Sequence, residues 1–265
     1  MTARAALAAC LLLAACDEPA PPPAAAPEPA AVADLDQPCR AVEFEGSPLI
    51  DCEADPARHR IRMVLGSADG APYRSFAALA AARGVDEEPV AFAVNGGMFD
   101  DTGGPIGYYV EGGERGHALN RADGPGNFHL KPNGVFYGQT GGDWRVRDSE
   151  SFYHEVTDRP DFGTQSGPML VVDGDLHPQF ATDGDSLKIR NAVGVDARGR
   201  AHFVLSAAPI SFGRMARYFR DEVGADNALF LDGQVSQLWD PGHGRMDNGV
   251  SIGPIIVVEM REDAG

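Results

Sequence analysis

Apolar residues in this chain come in short blocks, each cut by glycine, proline or a polar turn. Residues 61–65 alternate around Arg62, the period-two pattern of a half-buried strand. Residues 74–83 are Ala-rich and stop at Gly84, which predicts a helix closed by a C-terminal glycine. Residues 89–94 form a continuous apolar run into Asn95-Gly96-Gly97 and predict a buried strand. Residues 106–110 and 134–137 predict two more strands, separated by turns. Residues 169–172 precede Asp173-Gly174, a hairpin signal. Residues 192–195 and 202–205 flank Asp196-Ala197-Arg198-Gly199 and predict a second hairpin. Ser211 then suits a helix cap, with Phe212, Met215, Ala216, Phe219 and Val223 at helical spacing and Gly224 as the stop. Residues 228–231 run into Asp232-Gly233, and residues 255–258 form a last apolar block. Many strands and two clear helices, without strict βαβ alternation, predict an α+β fold. The expectation is a single domain with one mixed, mostly antiparallel sheet flanked by helices.

The N-terminus carries an address. Residues 1–16 hold a basic start, a short apolar run and small residues before Cys16, as a secretory signal does. Leu13-Ala14-Ala15-Cys16 resembles a bacterial lipobox, which implies cleavage before Cys16 and lipidation of its thiol. The apolar run is too short to cross a bilayer. Residues 17–36 are rich in proline and alanine, a composition that favours an extended linker over a core. Residues 37–265 are left as the folded domain, expected to be lipid-anchored in the cell envelope and to face the periplasm. Of four cysteines, Cys39 and Cys52 remain in that domain. In an exported protein they are expected to pair as a disulfide, the alternative being two free thiols.

Composition then narrows the function. Apolar residues make up 43% of the chain, enough for a core. Lys and Arg number 22 against 39 Asp and Glu, a net charge of −17. Nucleic acid is excluded as a partner on that balance, since phosphate backbones are held by clustered Lys and Arg. No P-loop or zinc-finger spacing occurs. No matching Cys/His pair lies near the cysteines, so no metal or cofactor is expected.

Three apolar strands run out into a polar residue beside glycine: at Asn95-Gly96-Gly97, at Arg190-Asn191 with Gly194, and at Asp232-Gly233. Glycine admits close backbone approach, and polar groups at strand ends are where sites collect. Local turn-making is the alternative at each. Asn95-Gly96-Gly97-Met98-Phe99, the 127–136 segment with Lys131-Pro132-Asn133-Gly134, Gln165-Ser166-Gly167-Pro168-Met169-Leu170, Arg190-Asn191-Ala192-Val193-Gly194 and the 228–233 block follow one order. Together they resemble the phosphodiester glycosidase family, in particular a bacterial branch related to the lysosomal uncovering enzyme. The resemblance implies cleavage of a sugar-1-phosphodiester at its anomeric carbon. After Gly233 this chain continues Gln234-Val235-Ser236 where the uncovering enzyme has further glycines, which bears on sugar identity.

The resemblance and the chemistry assign roles. The transition state gains oxocarbenium character and phosphate leaves readily. Arg190 suits the phosphate because guanidinium binds it bidentately and stays charged. Asp232 is the candidate nucleophile or base, and Asn95 holds a sugar hydroxyl or transition-state charge. Gly96, Gly97, Ser166, Asn191, Gly233 and Ser236 are candidate substrate-binding positions. Arg115, Arg121 and Lys131 are helpers, and His129 and His177 proton shuttles. Asp183-Gly184-Asp185-Ser186 lacks the closing Glu of a calcium loop and reads as a turn. Trp144 and Trp239 read as core or rim. The leading expectation is an envelope-tethered hydrolase. The alternatives are a non-catalytic glycan- or envelope-binding lipoprotein and, third, a transglycosylase passing the sugar to an envelope acceptor.

Overall fold

Strands dominate because the apolar blocks are rich in Val, Ile, Phe and Leu and are cut by turn residues before a helix can propagate. The computed structural model describes residues 37–67, 70–233 and 235–262. The expected signal sequence, the expected lipidation site Cys16 and the expected 17–36 linker lie outside the described residues.

Among the described residues the strands form three sheets, of seven, five and five strands. The first runs Cys39–Phe44, Ser47–Ala54, Ala201–Ser206, Asn191–Val195, Ala228–Asp232, Met169–Val172 and Asp175–Leu176 in spatial order. The second centres on Val90–Asn95, between Leu238–Asp240 and Ile255–Met260. The third centres on Phe162–Ser166, between Tyr109–Glu111 and Gly134–Gln139. The expectation of one mixed sheet is therefore corrected: every pairing within these sheets is antiparallel.

One core serves all three sheets. Phe203 of the first, Phe92 of the second and Phe136 and Phe162 of the third meet in it. The rings of Phe92 and Phe203 lie 5.5 Å apart, and those of Phe136 and Phe203 5.6 Å apart. Each sheet's other face is covered by one short helix. Phe212–Arg217 packs Met215 and Ala216 on the first sheet, Phe76–Ala82 packs Phe76 and Leu79 on the second, and Ser149–Glu155 packs Phe152 on the third. The fold is α+β with far more sheet than helix. Strands buried on both faces read as unbroken apolar runs, which is why Val90–Asn95 shows no alternation.

Local signals explain most boundaries. Asp173 and Gly174 both have positive φ, 49° and 86°, as a two-residue hairpin of this twist requires. Ser211 Oγ accepts the Arg214 amide at 3.2 Å and starts its helix. That helix widens into a π turn at Tyr218–Val223 and ends at left-handed Gly224. Cys39 and Cys52 face each other in register on neighbouring strands and form a disulfide.

Two elements differ from expectation. The first helix spans only Phe76–Ala82, because Ser75 caps it and Arg74 sits at φ 63° outside it. It ends at extended Arg83, drawn away by bonds to Glu259 Oε1 (2.8 Å) and Glu88 O (2.6 Å), and not at Gly84. The block at 106–110 is a strand only from Tyr109, since Gly103, Gly104 and Pro105 hold the preceding chain in a loop.

Candidate active site

Ends of strands from all three sheets meet at one end of the core. Asn95 closes Val90–Asn95, Ser166 closes Phe162–Ser166, Asp232 closes Ala228–Asp232, and Asn191 opens Asn191–Val195. Side chains tie them together. Asn191 Nδ2 donates to Asn95 Oδ1 at 3.0 Å, and the Gln237 amide donates to the same oxygen at 2.9 Å. Asn191 Oδ1 accepts the Asp232 amide at 2.8 Å and the Ser236 hydroxyl at 3.3 Å. Ser166 Oγ donates to Leu231 O at 2.7 Å, fixing the residue before Asp232. Asn95, Ser166 and Asn191 are all buried. Asn95 Nδ2 is buried with no hydrogen-bond partner in the structure, so one strong donor is unspent. Native interiors rarely leave such a group alone.

Asp232 is partly buried. Burial pushes its carboxyl up to about 6, only partly offset by the amides of Gly233 and Val235. Gly233 N donates to Asp232 Oδ1 at 2.6 Å. A carboxyl titrating there can hold or give a proton near neutral pH.

Arg190 precedes Asn191, but its side chain enters the layer beneath the Phe212–Arg217 helix. Its Cζ lies 3.5 Å from the centroid of Phe212 and 5.5 Å from that of Phe230. Nε donates to Ile210 O at 2.9 Å and Nη2 to Ser186 O at 2.8 Å. Among the described residues Nη1 makes no hydrogen bond and no carboxylate pairs with this guanidinium. Desolvation pulls it down to about 10, so it stays charged at neutral pH. Phe212 stacks on Phe180 at 5.0 Å, and Phe180 on His177 at 4.5 Å, one continuous stack from Arg190 to a buried histidine. Arg190 and Asp232 make no ion pair with each other.

The other named positions fall in several places. Gly97 packs against the third sheet: a Cβ there would sit 2.2 Å from Gln165 O. At Gly96 a Cβ would meet Met63 Cε at 3.1 Å and Pro254 O at 3.2 Å. Arg121 is bidentate to Glu150, and Lys131 Nζ reaches Asp123 Oδ1 at 2.6 Å. His129 Nδ1 lies 3.0 Å from Ala122 O, and none of these contacts joins the Asn95–Asn191 cluster. Asp183 accepts from Arg214 and Arg217 and ties its turn to the third helix. Trp144 is core, and Trp239 packs near Phe76. The sequence reading missed the Gln237 amide, which carries no chemical signature, and the ring stack, whose members are scattered from 177 to 230. Among the described residues no group of three or more His, Cys, Asp or Glu side chains is placed to hold a metal ion.

Comparison with known proteins fits this geometry. The profile of the phosphodiester glycosidase family matches residues 88–253, which include Asn95, Ser166, Arg190, Asn191, Asp232 and Ser236. The chain is 35% identical over 188 residues to the uncharacterized protein YigE of Escherichia coli K12, covering 71% of this chain and 72% of that protein. Its fold is similar to the catalytic domain of zebrafish N-acetylglucosamine-1-phosphodiester alpha-N-acetylglucosaminidase, auto-inhibited by its pro-peptide. There the TM-score is 0.56 at 13% identity, over 84% of this chain and 82% of that one. A protein of Burkholderia pseudomallei is similar in fold at a TM-score of 0.51 and 13% identity, over 80% and 74% of the two chains.

Proposed function

The chain belongs to the phosphodiester glycosidase family, and from that premise we propose that it is a hydrolase cleaving the sugar–phosphate glycosidic bond of a sugar-1-phosphodiester. The observation that carries the reading is the Asp232 carboxyl, raised to about 6 beside a buried network with one unspent donor, Asn95 Nδ2. Asp232 acts at the anomeric carbon, as nucleophile or as base for water. Asn95 Nδ2 donates to a sugar hydroxyl or to the developing charge. Asn191 holds both in register, through the Asn95 side chain and the Asp232 amide. Arg190 supplies positive charge for the phosphate in a chain of net charge −17. We further propose that residues 37–265 work as one domain tethered to the bacterial envelope through acyl chains on Cys16, facing the periplasm. Cys16→Ser is expected to release the protein from the membrane fraction.

A second reading is supported by how much of this machinery is already engaged. Arg190 spends Nε and Nη2 on protein acceptors, and the Ser166 and Ser236 hydroxyls do the same. On that reading the scaffold binds an envelope glycan without turning it over. Incubation with UDP-N-acetylglucosamine and a panel of sugar-1-phosphodiesters separates the two. Free sugar, lost in both Asp232→Asn and Arg190→Ala with the fold kept, supports the hydrolase. Full activity in Asp232→Asn overturns the role given to that carboxyl. Saturable binding with no release by the wild type supports the binding protein, and a product larger than the free sugar reveals transfer to an acceptor.

A further inference from the structure

A second group of cations stands away from Asp232. A cleft of about 400 Å³ is lined by Tyr108, Arg115, Leu119, Phe152, Val156 and Arg159, among others, and by no residue of the Asn95–Asn191–Asp232 cluster. Arg115 projects from the exposed Glu114–His117 strand at the edge of the third sheet. Arg159 Nη1 donates to Gly113 O at 3.4 Å, in the turn leading into that strand. Both guanidinium groups act on the Tyr108 phenol and oppose the rise that burial imposes on it. Two positive charges therefore act on one hydroxyl of the cleft wall.

No carboxylate among the described residues pairs with Arg115 or Arg159. Arg121, on the same rim, is neutralised by Glu150 and lies 4.1 Å over the Tyr153 ring. Asp158 also lines the cleft and pairs with none of the three. Two arginines that line one cleft without a carboxylate leave positive charge unpaired there. Adjacent like charges repel, and an anion between them offsets that repulsion while taking charge-assisted hydrogen bonds from both. Beneath them the wall is apolar and fixed. Phe152 meets Tyr108 and Tyr137 edge to face, each at 4.9 Å, and Leu119 and Val156 pack on the same cluster. Two unpaired guanidinium groups and an apolar wall in one cleft suit a ligand with one acid group and one carbon-rich face.

We propose that this cleft is a second binding site, for an anionic saccharide. The phosphate or carboxylate lies between Arg115 and Arg159, and the sugar ring lies against Leu119 and Val156. The site does not rest on the reaction assigned to Asp232.

Calorimetric titration of the full chain tests it, with glucose 6-phosphate, glucuronate, glucose and inorganic phosphate as separate probes. Saturable binding of glucose 6-phosphate or glucuronate is expected, with glucose silent and inorganic phosphate weaker by at least about tenfold. Both arginines are exposed, so the pair Arg115→Ala and Arg159→Ala is expected to keep the fold and lose about tenfold or more in affinity. Asp232→Asn is expected to leave that binding unchanged, which separates this cleft from the candidate active site. No saturable binding of either acidic sugar overturns the proposal, as does binding undiminished in the folded double variant. Equal affinity for inorganic phosphate and glucose 6-phosphate overturns the saccharide and leaves only an anion site.

Discussion

Asn191 Nδ2 donates to Asn95 Oδ1 at 3.0 Å, joining residues 96 positions apart and two different sheets. The Asn95 oxygen serves the scaffold, since it also accepts the Gln237 amide, while its nitrogen is buried and unspent. The two ends of one side chain can therefore be tested separately. Asn95→Ala strips the acceptor from two buried donors and is expected to cost about 2–4 kcal/mol in urea unfolding. Asn95→Asp keeps both accepted bonds and puts a buried carboxylate where the donor was, which is expected to cost about 1–3 kcal/mol and, in the protein that stays folded, about a hundredfold in kcat against a hydrolysed phosphodiester. Unchanged kcat in a folded Asn95→Asp variant would assign Asn95 to the scaffold alone.

The Asp232 carboxyl, at about 6, lies above its ordinary value of 3.8 because burial disfavours its charge. The folded protein then holds a proton that the unfolded chain has already lost between those two values. Stability therefore falls as pH rises through that window, and above it the buried charge is a standing cost. Asp232→Asn removes the charge. The variant is expected to gain about 1–3 kcal/mol over wild type at about pH 8 and little at about pH 4, by chemical denaturation at both. With the carboxylate as the working form, kcat/KM rises with pH through about 6 and then levels. A fall through the same point would make the protonated acid the working form.

Part of this was legible in the sequence and part was not, for physical reasons. Asp173-Gly174 and Ser211 are local devices whose geometry depends on their own neighbours, so hairpin and cap stand where the residues put them. Asn95, Asn191 and Asp232 each stand as polar residues at the edge of apolar blocks, Ser236 came with the family resemblance, and the structure brings the four into one network. The division into three sheets was hidden, because pairings such as Val94 with Ile256 join distant segments and leave no local mark. The placement of Asp232 relative to Asn191 was hidden too. Asn191 pairs with Asp232 but Ala192 pairs with Phe230, so a bulge places one extra residue between them. One residue of slip changes which face each side chain takes, and spacing alone does not record it.

The disulfide fastens a sheet edge. Cys39–Phe44 has a single neighbour, Ser47–Ala54, and Cys39 and Cys52 are opposed at the end of that pairing. Closing a loop with a sequence separation of 13 restricts the unfolded chain by about 3 kcal/mol. The double substitution Cys39→Ala, Cys52→Ala is expected to lower unfolding free energy by about 2–4 kcal/mol, with reductant reproducing the loss in the wild type. Amide exchange should quicken in residues 40–44 and stay unchanged in the central strand at 191–195. Uniform quickening would show that the edge strand unfolds only with the whole domain.

Gly97 and Gly233 look alike in the sequence, each within two residues of a polar residue that ends an apolar strand, but the structure gives them different reasons to be glycine. A Cβ at Gly97 would meet the Gln165 carbonyl at 2.2 Å and Thr164 Oγ1 at 2.7 Å, and the Gly97 amide donates to that hydroxyl at 3.0 Å. The backbone of the second sheet touches that of the third there, one residue before Ser166. At Gly233 the nearest atoms, Ile189 O and Phe230 Cζ, stand 3.5 Å away, ordinary contact distance. Gly97→Ala is therefore expected to force the two sheets apart, costing more than about 2 kcal/mol and disturbing the Ser166–Leu231 bond that fixes the approach to Asp232. Gly233→Ala is expected to fold within about 0.5 kcal/mol of wild type. Any loss of activity in a folded Gly233→Ala then reports on space needed by substrate, because the protein itself leaves room for the methyl group. A Gly97→Ala protein of wild-type stability would show that the sheet junction yields more readily than close packing implies.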